Sequence, residues 1–586
     1  MILQALNQFY ERLQADPDAD IAPFGYSRQK ITFCVVINDD GSLHEIVSEL
    51  DESDGRARPR SIVVPGGAKP SGAGINPCFL WDNTGYLLGF KPDDENPERT
   101  RETFEAFRQK HLAIAAEIDD PELSAVCSFL EKWDPEMAAG HPTLQAVTTG
   151  FGVFRLRAKA QYVHERPAIR SWWEEQLQSV AGTASTRGQC LLTGRVESLA
   201  RLHEPKIKGV NGAQSSGAAL VSFNDKAYES HGRSQGFNAP VSEAAAFQYC
   251  TALNYLLHPD HRHRIQLPDT TVVYWTESPG PFEELFGFVA DPTKIAAEDE
   301  AQKDRIRETL KAIASGRSAE DLSLGEGETR FFVLGLSPNA ARLSVRFWYV
   351  CTLNELIANI RQHFIDLSVA RSSRDTEYPA LWQLLRETVR ESKDIPPLLS
   401  GAVLRCILIG SAYPQMFFSA VIRRIRADRQ INAIRASILK ACLNRNLRCG
   451  ISSLSKELPV SLDPERPEAA YQLGRLFAEL EKAQEDALPG INATIKDRYF
   501  SAASATPGSV FPRIIRGSQH HLAKLEMRAK VYREKRIQEV FGRIDDFPSH
   551  LNLAQQGLFA LGYYHQRQAI YTKRQEAESA VPSVTE

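Results

Sequence analysis

A chain of 586 residues with 43% apolar and 24% charged residues is too long for one hydrophobic core and has the composition of an ordinary soluble protein of two to four domains. No run approaches the ~18 uncharged apolar residues of a membrane span, and the nine cysteines have neither CxxC spacing nor a paired framework, so they read as small buried hydrophobes in a reducing cytoplasm. The net charge of −4 conceals a segregation, with nine Lys/Arg against the single acid Asp428 in residues 401–450 and twelve Lys/Arg against five acids in residues 511–575, which favours a polyanionic partner on the C-terminal half.

The opening MILQALNQFYERLQAD has no basic n-region and no cleavage site, and reads as an amphipathic helix rather than a signal peptide. KITFCVVI at 30–37, the turn Asn38-Asp39-Asp40-Gly41 and LHEIVSEL predict a β-hairpin. SIVVP, CFLWDN and YLLGF read as further short strands, with the glycine-rich VPGGAKPSGAGINP (64–77) among them. Helices are expected at about 97–118 and 121–133, and strands at 150–157, 188–193 and 218–223. The last of these follows the loop GVNGAQSSGA. Ser242 is a suitable N-cap, with Glu243 in the first turn and Ala246, Tyr249, Leu253 and Leu256 at helical spacing. TTVVYW (270–275) is another strand. The first 290 residues are therefore α+β rather than a regular βαβ alternation.

Beyond residue 300 the pattern changes. TRFFVLGLSPNAARLSVRFWYV reads as a hairpin leading into the capping box Thr352-x-x-Glu355. Leu353, Leu356, Ile357, Ile360 and Phe364 mark one face of the helix that follows. From 377 to the end nearly everything reads as helix, and Asp463-Pro464 is expected to open one of these helices as N-cap and N1 proline.

Three catalytic readings are testable on the residues. Ser215 in AQSSG lacks the first glycine of a nucleophile elbow, since Ala213 stands there, and leads into an expected strand rather than a helix. His258, His261 and His263 in HPDHRHR have metal-ligating side chains, but arginines flank them and no carboxylate-rich segment accompanies them. PGGAKPSGAG lacks the order of a phosphate loop, because Lys69 precedes Pro70 and no helix follows. A hydrolase using Ser215 or the His258/His261/His263 cluster stays as the alternative function, and no metal or cofactor is expected.

The same loops suit nucleic acid. Glycine lets the backbone approach a ligand, short polar side chains bond to base edges, and cations hold phosphates. One loop offers Lys206, Lys208, Asn211, Gln214, Ser215 and Ser216; the other offers Lys69, Ser71 and Asn76.

The run GVNGAQSSGAALVSFNDKAYESHGRSQGFNAPVSEAAAFQYCTALNYLL, Gly209 to Leu257, closely resembles the signature of the large subunit of the type I-C CRISPR–Cas effector, Cascade. MILQALNQFYERL, NPCFLWDNTGYLLG (76–89) and RLSVRFWYVCTLNELIANIRQHFIDL (342–367) are similar to the same family in the same order. The motifs span residues 1 to about 370, and the remainder fits by helical character alone. The resemblance implies a non-catalytic, cytoplasmic DNA-surveillance subunit that assembles with crRNA and the other Cascade subunits. Such a subunit recognises the protospacer-adjacent motif (PAM) in double-stranded DNA, assists duplex opening and recruits a separate helicase-nuclease. It further implies a C-terminal helical domain like the small subunit, which lines the displaced single strand and is typically made by internal translation of the same gene.

On that reading the loops at 66–76 and 209–217 face the PAM, with Gln214 as the wedge. Arg423, Arg424, Arg426, Arg429, Lys530, Arg533, Lys535 and Arg536 face the single strand. The expected divisions are 1–300 (α+β, PAM and DNA recognition), 301–376 (hairpin and helix), 377–459 (basic helices) and 460–586 (small-subunit-like bundle). Met416 and Met527 are the methionines nearest this last boundary, and neither suits a start, whereas initiation at Val460 would give a product of 127 residues.

Overall fold

The β-branched run at 30–37 becomes the middle of a six-stranded sheet. In the computed structural model, β1 (Tyr26–Ile37) turns through residues 38–42 into β2 (Leu43–Ser48). The same edge of β1 carries β4 (Arg58–Pro65) along residues 26–31. β6 (Phe151–Leu156) lies parallel to β1 on the other edge, and β3 (Leu50–Asp51) and β5 (Trp81–Asn83) complete the order β3-β4-β1-β6-β5. Alternation along β1 sends Phe33, Val35 and Ile37 into one apolar cluster and Cys34 and Val36 into another, as expected of a central strand covered on both faces. The larger cluster is roofed by α3 (Pro97–Ala115) and α4 (Pro121–Lys132), capped by Asn96 and Asp120.

The structure describes residues 2–579 apart from 18, 20, 52–56, 68, 70–73, 148–149, 184–185, 284–285 and 288–307. They divide into two compact units. The first holds Met1–Gly209, Gln214–Tyr255 and Ala340–Arg342; the second holds Val210–Ala213, Leu256–Asn339 and Leu343–Glu586. The sheet above belongs to the first, together with α1 (Ile2–Ala15), α5 (Pro142–Val147), α6 (Pro167–Thr183) and α7 (Glu243–Leu257) as far as Tyr255. Ser242 Oγ accepts from Ala245 N at the start of α7 (3.3 Å), as its N-cap position predicts.

The second unit starts from a four-stranded sheet, ordered β12 (Arg342–Thr352, from Leu343 on in this unit), β11 (Arg330–Asn339), β10 (Thr271–Thr276), β9 (Arg264–Gln266). Every residue of β10 is buried. α8 (Leu353–Leu367) opens on the expected capping box: Thr352 Oγ1 accepts from Glu355 N, and Glu355 accepts from Thr352 N. Then come α9 (Leu381–Arg386), α10 (Pro397–Ile409), α11 (Gln415–Asp428), α12 (Ala433–Arg448), α13 (Ala469–Ala487), α14 (Ile495–Ala503), α15 (Pro507–Leu522), α16 (Met527–Phe541) and α17 (Leu553–Ser579). α13 and α17 approach backbone to backbone. A Cβ on Gly474 would stand 2.0 Å from Phe559 O, and one on Gly562 would stand 2.2 Å from Tyr471 O. Phe477, Phe500, Phe511, Phe559 and Tyr563 fill the space beside this crossing.

The strand-rich first part and helical remainder make the chain α+β, as the sequence indicates. Four local expectations fail. YLLGF is not a strand: Asn83 caps Gly85 N and Tyr86 N, Gly89 closes the turn at φ +63°, and α2 (Thr84–Leu88) forms between them. Of 188–193 only β7 (Arg187–Gln189) is strand, paired with β8 (Val196–Ser198). Residues 219–223 form no strand: Ala218 and Ala219 make isolated bridges and the chain then runs as bends. Asp463-Pro464 does not open α13. The helix starts at Ala469, because Pro467 disfavours helical geometry at Arg466.

Candidate nucleic-acid interface

The glycine loop at 209–217 is closed by reciprocal hydrogen bonds between Ile207 and Ala218 (2.9 and 2.8 Å). Asn254 of α7 clamps the same base from the side, accepting from Lys208 N (2.8 Å) and donating to Lys206 O (3.1 Å). Gly217, at φ +94°, leaves no room for a Cβ beside Lys206 Cβ (2.8 Å). Its N–H turns back to Gln214 O (2.9 Å). Held this way, Lys206, Lys208, Gln214, Ser215 and Ser216 are all exposed in the first unit. Asn211 lies in the segment assigned to the second unit, exposed, with its N–H donating to Thr271 Oγ1 (3.1 Å). No hydrogen bond among the described residues links Ser215 to a histidine.

Lys69 is placed differently from its expected role. Its ammonium donates to the fully buried Asp82 carboxylate (2.5 Å) and to Asn76 O (2.6 Å), and sits over the Tyr86 ring. Burial pushes the Asp82 carboxyl up, and Lys69 and the Cys78 N–H pull it back. Lys69 is therefore the internal staple of its loop rather than a cation for phosphate. Asn76 is exposed, with its N–H donating to Tyr86 Oη (3.2 Å). Ser71 lies outside the described residues.

The histidine run does not converge. His258 faces Asp260 (3.6 Å) and its ring lies 5.0 Å from that of His261, tilted by 39°, while His263 Nδ1 lies 3.1 Å from Tyr274 O. Among the described residues no three His, Cys, Asp or Glu side chains are grouped to hold a metal ion.

The basic blocks split into internal and bare cations. In α12, Arg435 pairs with Glu387 (2.6 Å) and Asp428 (2.7 Å), and Arg445 and Arg448 share Asp366 (2.9 and 2.5 Å). Lys440 donates to the last carbonyls of α8, Ile365 O and Asp366 O, and burial pushes its ammonium down to about 8. In α11, Arg424 is tied to Asp428 (2.5 Å), whereas Arg423, Arg426 and Arg429 are exposed and make no ion pair among the described residues. In α16, Arg533 is buried against Asp486 (2.7 Å) and Glu479 (3.4 Å). Arg536 bonds Glu539 (2.6 Å), Lys530 faces Glu534 (4.0 Å), and Lys535 is exposed without an ion pair.

A larger bare set lies outside the residues expected from the sequence: Arg513, Arg516 and His520 on α15, then Lys524 and Arg528, all exposed and without a carboxylate partner among the described residues. The i, i+3, i+7 spacing of the first three was the available signal.

The loop at 209–217 is thus braced by Asn254, and exposed cations without an ion pair among the described residues lie on and beside α11, α15 and α16. The sequence pattern of the Cas_Csd1 family, described as CRISPR-associated protein, matches residues 6–571. The chain belongs to this family, and with it to the components of Cascade-type complexes. A comparison with curated proteins finds no match. Among the described residues no helix is long and apolar enough to cross a membrane.

Proposed function

We propose that the protein is the non-catalytic large subunit of a cytoplasmic type I-C surveillance complex. It binds crRNA and the other Cascade subunits, recognises PAM in double-stranded DNA, assists its opening and recruits the helicase-nuclease. The observation that carries this reading is the family match over residues 6–571, and the bare cations are what such a role requires. Lys206, Lys208, Gln214, Ser215 and Ser216 meet the PAM duplex in the first unit. Arg423, Arg426, Arg429, Lys535 and the α15 set meet the displaced strand in the second. Guide pairing supplies sequence specificity, so backbone contacts suffice over most of this surface.

The test compares PAM-bearing duplex with a pre-opened, PAM-less target, using the chain in its crRNA complex. Gln214→Ala should weaken duplex binding about tenfold, one base contact being worth roughly 1–3 kcal/mol, and leave the opened target nearly unchanged. Equal weakening on both substrates would remove PAM reading from this loop. Cleavage of labelled DNA by the purified chain with magnesium, manganese or zinc would overturn the non-catalytic assignment.

A further inference from the structure

α16 is an unusual helix for its position. Of its 15 residues only Arg533 and Val540 are buried, and Arg533 is held by Asp486 and Glu479 of α13. That pairing fixes which way the helix faces. At 100° per residue, Arg528, Tyr532 and Lys535 fall within an arc of about 60°, lying about 100–160° round from Arg533, whose guanidinium carbon stands 5.4 Å from the Tyr532 ring centroid. Tyr532 is 53% exposed, and the cations one turn before and one turn after it are exposed and carry no ion pair among the described residues. The acids of the helix are already engaged, Glu534 with Lys530 and Glu539 with Arg536.

We infer that Tyr532 is a base-stacking platform for single-stranded nucleic acid, with Arg528 and Lys535 holding the phosphates on either side of the stacked base. Seven residues separate the cations, about 10 Å along the axis, so one ring lies between two anchor points on a single strand. An aromatic face accepts any base, and flanking cations follow the backbone, which is the chemistry of sequence-tolerant strand binding. A duplex hides its base faces and would leave the ring idle. A protein partner would use the exposed Met527 and Val531 of the same helix and meet the cations with acids, an outcome the test below separates from strand binding. This inference rests on the single-strand reading above and names a contact that reading does not contain.

The test uses the full-length chain, a labelled thymidine oligonucleotide and an abasic oligonucleotide of equal length. The abasic strand keeps the phosphates and lacks the bases. Tyr532→Ala should weaken binding to the thymidine strand about tenfold, the size of one base–aromatic stack, and leave the abasic strand unchanged. Tyr532→Phe should restore wild-type affinity. Arg528→Gln with Lys535→Gln should weaken both strands alike.

The platform is overturned if Tyr532→Ala weakens both strands equally or neither. It is also overturned if the wild type binds the two strands equally, in which case backbone binding survives and stacking does not. Loss of co-purifying subunits with strand binding intact would assign the surface to a protein partner instead. No binding of either strand by the wild type would overturn the single-strand reading itself, a result distinct from the others.

Discussion

Arg445 on α12 and Asp366 on α8 form an ion pair of 2.9 Å in which each side chain is 1% exposed. Arg445 also donates to Cys406 O (2.6 Å) and Ser411 O (3.0 Å) and lies over the Tyr413 ring. Asp366 takes Arg448 as well. A charge that sequence counting assigns to the surface thus sits at the packing centre of three helices.

Removing one member of a buried pair leaves an uncompensated charge and costs about 3–5 kcal/mol. Asp366→Ala should destabilise the second unit by that amount, and adding Arg445→Met should recover part of it. Urea titrations followed by circular dichroism measure both. An unchanged midpoint for the single variant would contradict the buried pairing.

Bare and internal cations should separate in salt titrations. Replacing Arg513, Arg516 and Lys524 by glutamate should flatten the slope of log K against log salt for single-stranded DNA, by about 0.7 for each phosphate that is no longer neutralised. Stability should be little affected, since all three are exposed. Replacing Arg533, which is buried against Asp486 and Glu479, should chiefly destabilise the helices. A steeper or unchanged slope in the triple variant would place the strand elsewhere.

Stability should fall on mild acidification. Burial holds the imidazoles of His111, His164 and His203 down at about 4, and those of His363 and His565 at about 3. An unfolded histidine titrates near 6.5. As pH falls below that value the unfolded chain binds protons first, so the stabilisation present above about 6.5 is progressively lost. At pH 5.5 each histidine gives up about 1.4 kcal/mol relative to pH 8. That is about 4 kcal/mol for the first unit and about 3 kcal/mol for the second. Urea midpoints at the two pH values check this, and His203→Gln should reduce the difference in the first unit. Equal midpoints would count against buried neutral rings.

A short product starting near codon 460 is expected alongside the full chain. It would hold α13–α17 with the Gly474 and Gly562 crossing and the aromatic cluster of Phe477, Phe500, Phe511, Phe559 and Tyr563. It would lack Ala370, whose carbonyl accepts from Tyr564 Oη and whose N–H donates to Val460 O in the full chain. Expression of the unmodified gene and intact-mass analysis give the answer. Finding the full-length chain alone, in a complex that also lacks a small subunit, would sink the idea.

Short-range chemistry was legible and long-range chemistry was not. The Thr352/Glu355 box, the Ser242 cap and the β1–β2 hairpin follow from residues within four or five positions of one another, and each formed. Asn83 and Gly89 carried the cap signals of α2 just as plainly, but the apolar YLL between them looked like strand. The charge count misled because the partners of Arg435, Arg445 and Arg448 are Glu387, Asp366 and Glu457, in other segments. Lys69 was misjudged for the same reason, since Asp82 reaches it only after the chain has turned. The loop at 209–217 was recognisable by its glycines, while its clamp, Asn254, was not separable from any other polar residue on α7.

The pairing of β1 with β6 also bears on synthesis. β1 is almost wholly apolar from Ile31 to Ile37, and its parallel partner is Phe151–Leu156. On the ribosome, the hairpin with β2 and the ribbon with β4 close one edge of β1 early. The other edge stays open until β6, far along the chain, has emerged. An open apolar edge of that kind pairs readily with any other strand it meets. The nascent chain therefore passes through a window in which KITFCVVI is its most aggregation-prone segment. Slowed translation between residues 65 and 150 should lower the soluble yield more than the same delay placed after residue 160.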